Sequence, residues 1–176
     1  MNFRKATVAD LTEVIDIYFS RRKWLGEKGV NLWQGEDFLE EIKNEVTKAL
    51  NINSLYVLEQ DNKVIGCVIL QNNSNNDYWQ EDNQNYCYLT RLCVAIDEKN
   101  KGIGKLILDY SLEECQKLGY EKLRLDCRAD NSHLPEFYSK YGFQEIGRKK
   151  FLNEDGTFDA DSILMEMPII KKNHKI

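Results

Sequence analysis

The chain has 176 residues, 42% hydrophobic and 30% charged, with a net charge of −5. That length holds one core and is short for two typical domains, and that balance fits a soluble folded protein rather than a disordered one. The acidic excess argues against general nucleic-acid binding. Neither an 18-residue apolar run nor a signal-peptide pattern at Met1-Asn2-Phe3-Arg4-Lys5 is found, so no membrane association is expected.

Phe3 to Thr7 reads as a strand. Thr7 to Asp10 offer N-cap residues, and Leu11, Val14, Ile15, Ile17 and Tyr18 recur at helical spacing. That helix is predicted to run to about Trp24, with Gly26 and Gly29 breaking it. Asn31-Leu32-Trp33-Gln34-Gly35 is a loop, and Asp37 to about Leu50 a second helix. Trp24, Leu32 and Trp33 around the loop either cover the core or border a pocket. Ser54 to Glu59 and Lys63 to Gln71 flank the turn Gln60-Asp61-Asn62, a hairpin signal. Gln71 to Asn85 is a polar loop carrying Asp77, Glu81 and Asp82.

Tyr86 to Ile96 is a long strand. The apolar face of Ile103, Leu106, Ile107 and Tyr110 predicts a helix that Gly119 ends, and Leu123, Leu125 and Cys127 alternate with charge in a further strand, Glu121 to Cys127. Asn131 and Ser132 cap a helix that tolerates Pro135 in its first turn and stops at Gly142. Phe143 to about Lys150 and Ser162 to Met167 are the last strands, with Asn153-Glu154-Asp155-Gly156 as the turn between them. The order β-α-α-β-β-β-α-β-α-β-β is a mixed α/β layer. Residues 1–168 form a single domain, and residues 169–176, with Lys171, Lys172 and Lys175, a solvated basic tail. Cys67, Cys87, Cys93, Cys115 and Cys127 show no CxxC spacing and only two histidines accompany them, so no metal is expected. Most of these thiols sit in apolar strand or helix patterns, which suits a reducing cytosol and a cytoplasmic protein.

The stretch from Leu92 to Lys105 carries the chemistry. An apolar strand enters it, a polar turn follows, and Gly102 and Gly104 open a helix. Such glycines let the backbone approach a ligand, and the helix start adds free N–H groups and its dipole, which suits a diphosphate. Lys99, Lys101 and Lys105 add positive charge. A glycine turn that merely caps the helix explains the same residues. A Rossmann fingerprint would need glycine at Ile107, and a P-loop would need Ser or Thr at Leu106.

Lys99-x-x-Gly102-x-Gly104 after a strand resembles the acyl-CoA signature of the GCN5-related N-acetyltransferase (GNAT) family, which usually has Gln or Arg where this chain has Lys99. Downstream, Leu123-Arg124-Leu125-Asp126-Cys127-x-x-x-Asn131 and Phe137-Tyr138-x-Lys140-x-Gly142-Phe143 resemble its later motifs. The likeness is close from Leu89 to Phe143 and rests on element order before that. It implies an α/β (α+β) fold: a twisted, mixed, mostly antiparallel sheet of six to seven strands with four helices, whose fourth and fifth strands part like a V.

The resemblance also implies acetyl-CoA as donor substrate. Leu92, Cys93 and Val94 would meet the pantetheine arm, with a strand irregularity turning one N–H toward the thioester oxygen. Lys99, Asn100, Lys101, Gly102, Ile103, Gly104 and Lys105 would hold the diphosphate. Asn131 would touch the cofactor as well as cap its helix. Tyr138 would face the departing sulfur as a hydrogen-bond donor, although its spacing equally fits the apolar stripe of its helix. Trp33 and Gln34 border the acceptor site in such a fold. Arg91 either holds an acceptor carboxylate or points outward. Many members carry a glutamate on the fourth strand, yet Tyr88 to Leu92 hold none; Glu81 and Asp82 are left to act through water, and the base is unassigned. Cys93 as an acylated nucleophile lacks an activating base, and His133 reads as an exposed first-turn residue.

The expected activity is acetyl transfer to a primary amine on a small, amino-acid-like acceptor. Acetylation of a protein or peptide N-terminus and a non-catalytic CoA-binding sensor are the alternatives, and a homodimer is left open.

Overall fold

The computed structural model describes residues 1–72, 79, 85–131, 133–152 and 158–170. Most of the predicted polar loop with Asp77, Glu81 and Asp82, the cap residue Ser132, the turn from Asn153 to Gly156 and the tail 171–176 lie outside them. Among the described residues, seven strands and four helices follow in the predicted order. They are β1 (Asn2–Lys5), α1 (Leu11–Glu27), α2 (Phe38–Asn51), β2 (Leu55–Gln60), β3 (Lys63–Gln71), β4 (Tyr86–Val94), α3 (Ile103–Lys117), β5 (Lys122–Arg128), α4 (His133–Tyr141), β6 (Gln144–Leu152) and β7 (Phe158–Pro168). The sheet order is β1-β2-β3-β4-β5-β7-β6. β1–β2, β2–β3, β5–β7 and β6–β7 pair antiparallel. β4 and β5 are parallel, in register from Tyr86↔Lys122 to Tyr88↔Arg124. No helix of the described residues is long and apolar enough to cross a membrane.

The chain divides into two compact units, Met1–Leu70 with Thr90–Ser111, and Gln71–Leu89 with Leu112–Ile176. In the first unit, β3 is buried along nearly its whole length, as an apolar run covered on both faces should be. α1 and α2 cover one face through Val14, Ile17, Tyr18, Phe38, Ile42 and Val46, all packed on Leu55, Val57, Cys67 and Ile69. α3 covers the other. Its Tyr110 stacks on Phe3 at 5.5 Å. A Cβ on Gly66 would lie 2.6 Å from Ile107 Cδ1 and 3.1 Å from the Cys93 carbonyl, so a side chain there would push against α3 and crowd β4. The β2–β3 turn places Asp61 and Asn62 at φ +51° and +62°, the two consecutive left-handed residues of a tight hairpin.

β7 begins at Phe158 rather than Ser162, and two further boundaries differ from the sequence reading for a visible cause. α1 runs on through Gly26 to Glu27. A glycine inside a helix costs only about 1 kcal/mol, and here it makes room: Gln34 Oε1 lies 2.7 Å from where a Cβ would sit. The stop comes at Gly29, φ +70°. β4 ends at Val94 rather than Ile96, because Ile96–Glu98 tightens into a 3-10 turn.

The start of α1 is tied down electrostatically. Arg4 donates to both carboxylate oxygens of Asp10 at 2.8 Å and to Glu59 at 2.8 Å, and the Thr7 N–H donates to Asp10 at 2.7 Å. The Arg4 guanidinium holds the buried Asp10 carboxyl well below the usual carboxylate range, against the desolvation that pushes it up. A depressed carboxyl stabilises the fold above its unfolded value of 3.8, and that contribution is lost as pH falls through the folded value. Asp10→Asn is therefore expected to cost about 2 kcal/mol at neutral pH, measured by urea unfolding, with the gap from the parent closing in acid.

In the second unit, Leu123, Leu125 and Cys127 of β5 are buried as their alternation predicts. The charged side of that strand is not a solvent face. Arg124 is 3% exposed, donates to Glu166 at 2.6 Å, and lies 4.7 Å from the Trp79 ring and 4.2 Å from that of Tyr86. A guanidinium tolerates such burial when paired with a carboxylate and faced by aromatic rings.

Candidate functional site

β4 leaves its regular conformation at Arg91, which sits at φ +56°. A left-handed non-glycine residue inside a strand costs of order 1–3 kcal/mol and persists only where its surroundings hold it. The irregularity falls one residue before the Leu92–Val94 stretch where it was expected. Beyond Val94, the Ala95 N–H donates to the Ile65 carbonyl at 2.9 Å. After the 3-10 turn, Asn100 at φ +63° and Gly102 at φ +77° curl the chain back on itself. No heavy atom lies within 4 Å of where a Cβ on Gly102 would stand, so the backbone there is open to a close approach. Gly102 accepts the first helical bond, from Leu106 N–H at 3.0 Å, and α3 carries Ile103, Gly104 and Lys105 in its first turn. Their N–H groups precede any intrahelical acceptor.

The three lysines are each engaged. Lys99 Nζ lies 5.1 Å from the centroid of the Trp24 ring, Lys101 pairs with Glu98 at 3.1 Å, and Lys105 with Asp109 at 2.9 Å. The last two are exposed side chains, whose pairings are weak and readily exchanged.

Trp33, Gln34 and Arg91 belong to one framework in the first unit. Trp33, at φ +61°, stacks on Phe38 at 5.3 Å and meets Tyr18 edge-on at 5.6 Å. The Gln34 amide donates to the Leu32 carbonyl at 2.8 Å and the Arg22 carbonyl at 3.0 Å. Arg91 Nε donates to Glu45 at 2.7 Å, and its guanidinium lies 6.0 Å from the Phe38 ring. Cys93 is 3% exposed, and burial pushes its thiol up to about 12. It is no nucleophile at neutral pH.

In the second unit, Tyr138 is 7% exposed, edge-on to Phe137 at 5.2 Å and Phe143 at 5.6 Å. Burial raises its phenol well above the ordinary 10.0, and the nearby Cys127 and Asp126 raise it further. The phenol is therefore protonated at neutral pH. Asn131 Oδ1 accepts from the His133 N–H at 3.3 Å, which is helix capping.

Sequence reasoning missed Asp126. On β5 it is half-buried. It accepts hydrogen bonds from the Tyr88 hydroxyl and, at 2.9 Å, from Ser162 Oγ. Its charge acts on Tyr138. Two buried hydroxyls thus fix the orientation of this carboxylate. The available signal was its place as the lone acid between Leu125 and Cys127, twelve residues before Tyr138. Among the described residues, no three His, Cys, Asp or Glu side chains are grouped to hold a metal ion.

The acetyltransferase (GNAT) family model matches residues 16–143. The uncharacterized N-acetyltransferase YesJ of Bacillus subtilis is 24% identical over 146 residues, 81% of each chain. The ribosomal protein bS18-alanine N-acetyltransferase of Escherichia coli K12 is 34% identical over 83 residues, a match spanning 46% of this chain and 55% of that protein. A GNAT-family acetyltransferase of Listeria monocytogenes shares the fold at TM-score 0.75 and 20% identity, over 95% of this chain and 94% of its own. The model match covers well over half of the sequence, and so this chain belongs to the GNAT family of N-acetyltransferase enzymes.

Proposed function

We propose that the protein transfers an acetyl group from acetyl-CoA to the primary amine of a small, amino-acid-like acceptor. The observation that carries this reading is the backbone of residues 91–105: a left-handed break in β4, then an open left-handed glycine, then a helix start whose first N–H groups have no intrahelical acceptor. That backbone fits a diphosphate. Gly102, Ile103, Gly104 and Lys105 would hold it, with Lys99, Asn100 and Lys101 around them. Leu92, Cys93 and Val94 would meet the pantetheine arm and Asn131 the cofactor. Acetyl-CoA supplies the activated thioester when bound. The protein's part is position, one proton acceptor and hydrogen-bond donors. Asp126 takes the proton from the attacking amine. Tyr138 donates a hydrogen bond toward the sulfur; giving up its proton outright is disfavoured, since its phenol stands well above the ordinary thiol range.

The bS18-alanine relative favours a second reading, acetylation of a protein N-terminus. Thiol release over amino acids, other small amines and short peptides with free N-termini separates the readings. Turnover confined to peptides replaces the small acceptor with a protein one, and coenzyme binding without turnover on any amine supports a sensor. With the acceptor in hand, Tyr138→Phe is expected to lower kcat by about 10²–10³, the range for one lost donor in a preorganised site, with acetyl-CoA affinity unchanged. The parent rate should show no alkaline fall near the ordinary phenol value of 10.0. A normal rate in the variant removes Tyr138 from the reaction.

A further inference from the structure

The break at Arg91 needs a cause outside β4, and α1 supplies one. Tyr18, fully buried, donates its hydroxyl to the Arg91 carbonyl at 2.5 Å. Three residues on, Arg21 donates to the Val94 carbonyl at 2.5 Å. Residues 18 and 21 stand on one helix face, and their two targets are also three residues apart along the strand. One turn of α1 therefore grips β4 on either side of Leu92 and Cys93. The Arg91 side chain is anchored separately, on Glu45 of α2.

The peptide unit joining Arg91 to Leu92 is planar and trans, so its N–H and C=O point in opposite directions. Fixing the Arg91 carbonyl on Tyr18 fixes the Leu92 N–H pointing away from it. The same logic is visible at the second grip. There the Val94 carbonyl is taken by Arg21, and the Ala95 N–H on the far side of that peptide meets Ile65.

We infer that Tyr18 and Arg21 are positioning residues for acetyl transfer, holding β4 in its left-handed break so that the Leu92 N–H is aimed where charge develops on the thioester oxygen. This rests on the acetyl-transfer reading. Neither side chain touches the reacting atoms; both act through the backbone of β4.

Glycine adopts φ +56° without strain, so the Arg91→Gly chain needs the grip less, which gives the test. Tyr18→Phe removes one hydroxyl from an otherwise unchanged ring. It is expected to lower kcat about tenfold or more, as small misplacements of a reacting geometry do, with acetyl-CoA affinity held within about twofold, far less than one lost charge-assisted bond would cost. In the Arg91→Gly background the same substitution is expected to cost less than about threefold, the difference being the coupling of a double-mutant cycle. Hydrogen exchange of the peptide covering residues 90–95 reports the backbone directly: Tyr18→Phe speeds it in the parent chain and leaves it unchanged in the Arg91→Gly background. An equal kcat penalty in both backgrounds, or unchanged exchange on Tyr18→Phe in the parent chain, overturns the inference. If the parent acetylates no amine, the acetyl-transfer reading fails, while the exchange comparison still decides whether α1 holds the break.

Discussion

Gly104→Glu is expected to lower acetyl-CoA affinity by at least about a hundredfold while leaving the fold intact. Residue 104 is the second of α3, where the N–H groups of the first turn lack intrahelical acceptors. A diphosphate there takes charge-assisted bonds from the backbone, each worth about 1.5–3 kcal/mol. A glutamate brings its own carboxylate to those donors and sets a negative charge against the phosphates. Losing two such bonds exceeds about 2.7 kcal/mol, which is about a hundredfold in Kd. The helix itself gains, since an acidic side chain in the first turn is favoured by about 0.3–1 kcal/mol and a glycine is removed from its interior. Calorimetric titration with acetyl-CoA and thermal unfolding read the two effects separately. Lost binding with an equal or higher Tm is the predicted pair, and undiminished affinity would remove the loop from the coenzyme site.

Asp126→Asn should cut kcat by about 10²–10⁴, the usual worth of a positioned proton acceptor. The substitution keeps the side chain's shape, and the amide retains an oxygen for Tyr88 or an NH₂ toward Ser162. Acetyl-CoA affinity should be unchanged. Raising pH deprotonates more of the amine in solution, so the deficit should shrink at alkaline pH. Steady-state kinetics across pH check both points. A rate close to the parent's, or a deficit independent of pH, would leave the proton with another group.

Element order was legible because it rests on local pattern. The hairpin at Asp61-Asn62, the helix start after Gly102 and the stripe of α4 are encoded by a few residues each. What escaped was set by partners distant in sequence. Arg91 reads as an ordinary strand residue, and its left-handed backbone exists because Tyr18 and Glu45 meet it. Gly26 reads as a helix breaker, yet Gln34 folds over it. Arg124 and Asp126 looked like the wet side of an alternating strand. One is buried against Glu166 and two aromatic rings, and the other is held by Tyr88 and Ser162. The candidate site was thus half readable: the glycine loop and Tyr138 from motif, Asp126 only from the fold.

The most direct measurement is a crystal structure of the protein with acetyl-CoA bound. The account predicts the coenzyme diphosphate against the backbone N–H groups from Gly102 to Lys105, with the pantetheine amides paired to Leu92, Cys93 and Val94. A diphosphate bound anywhere else on the chain would contradict it.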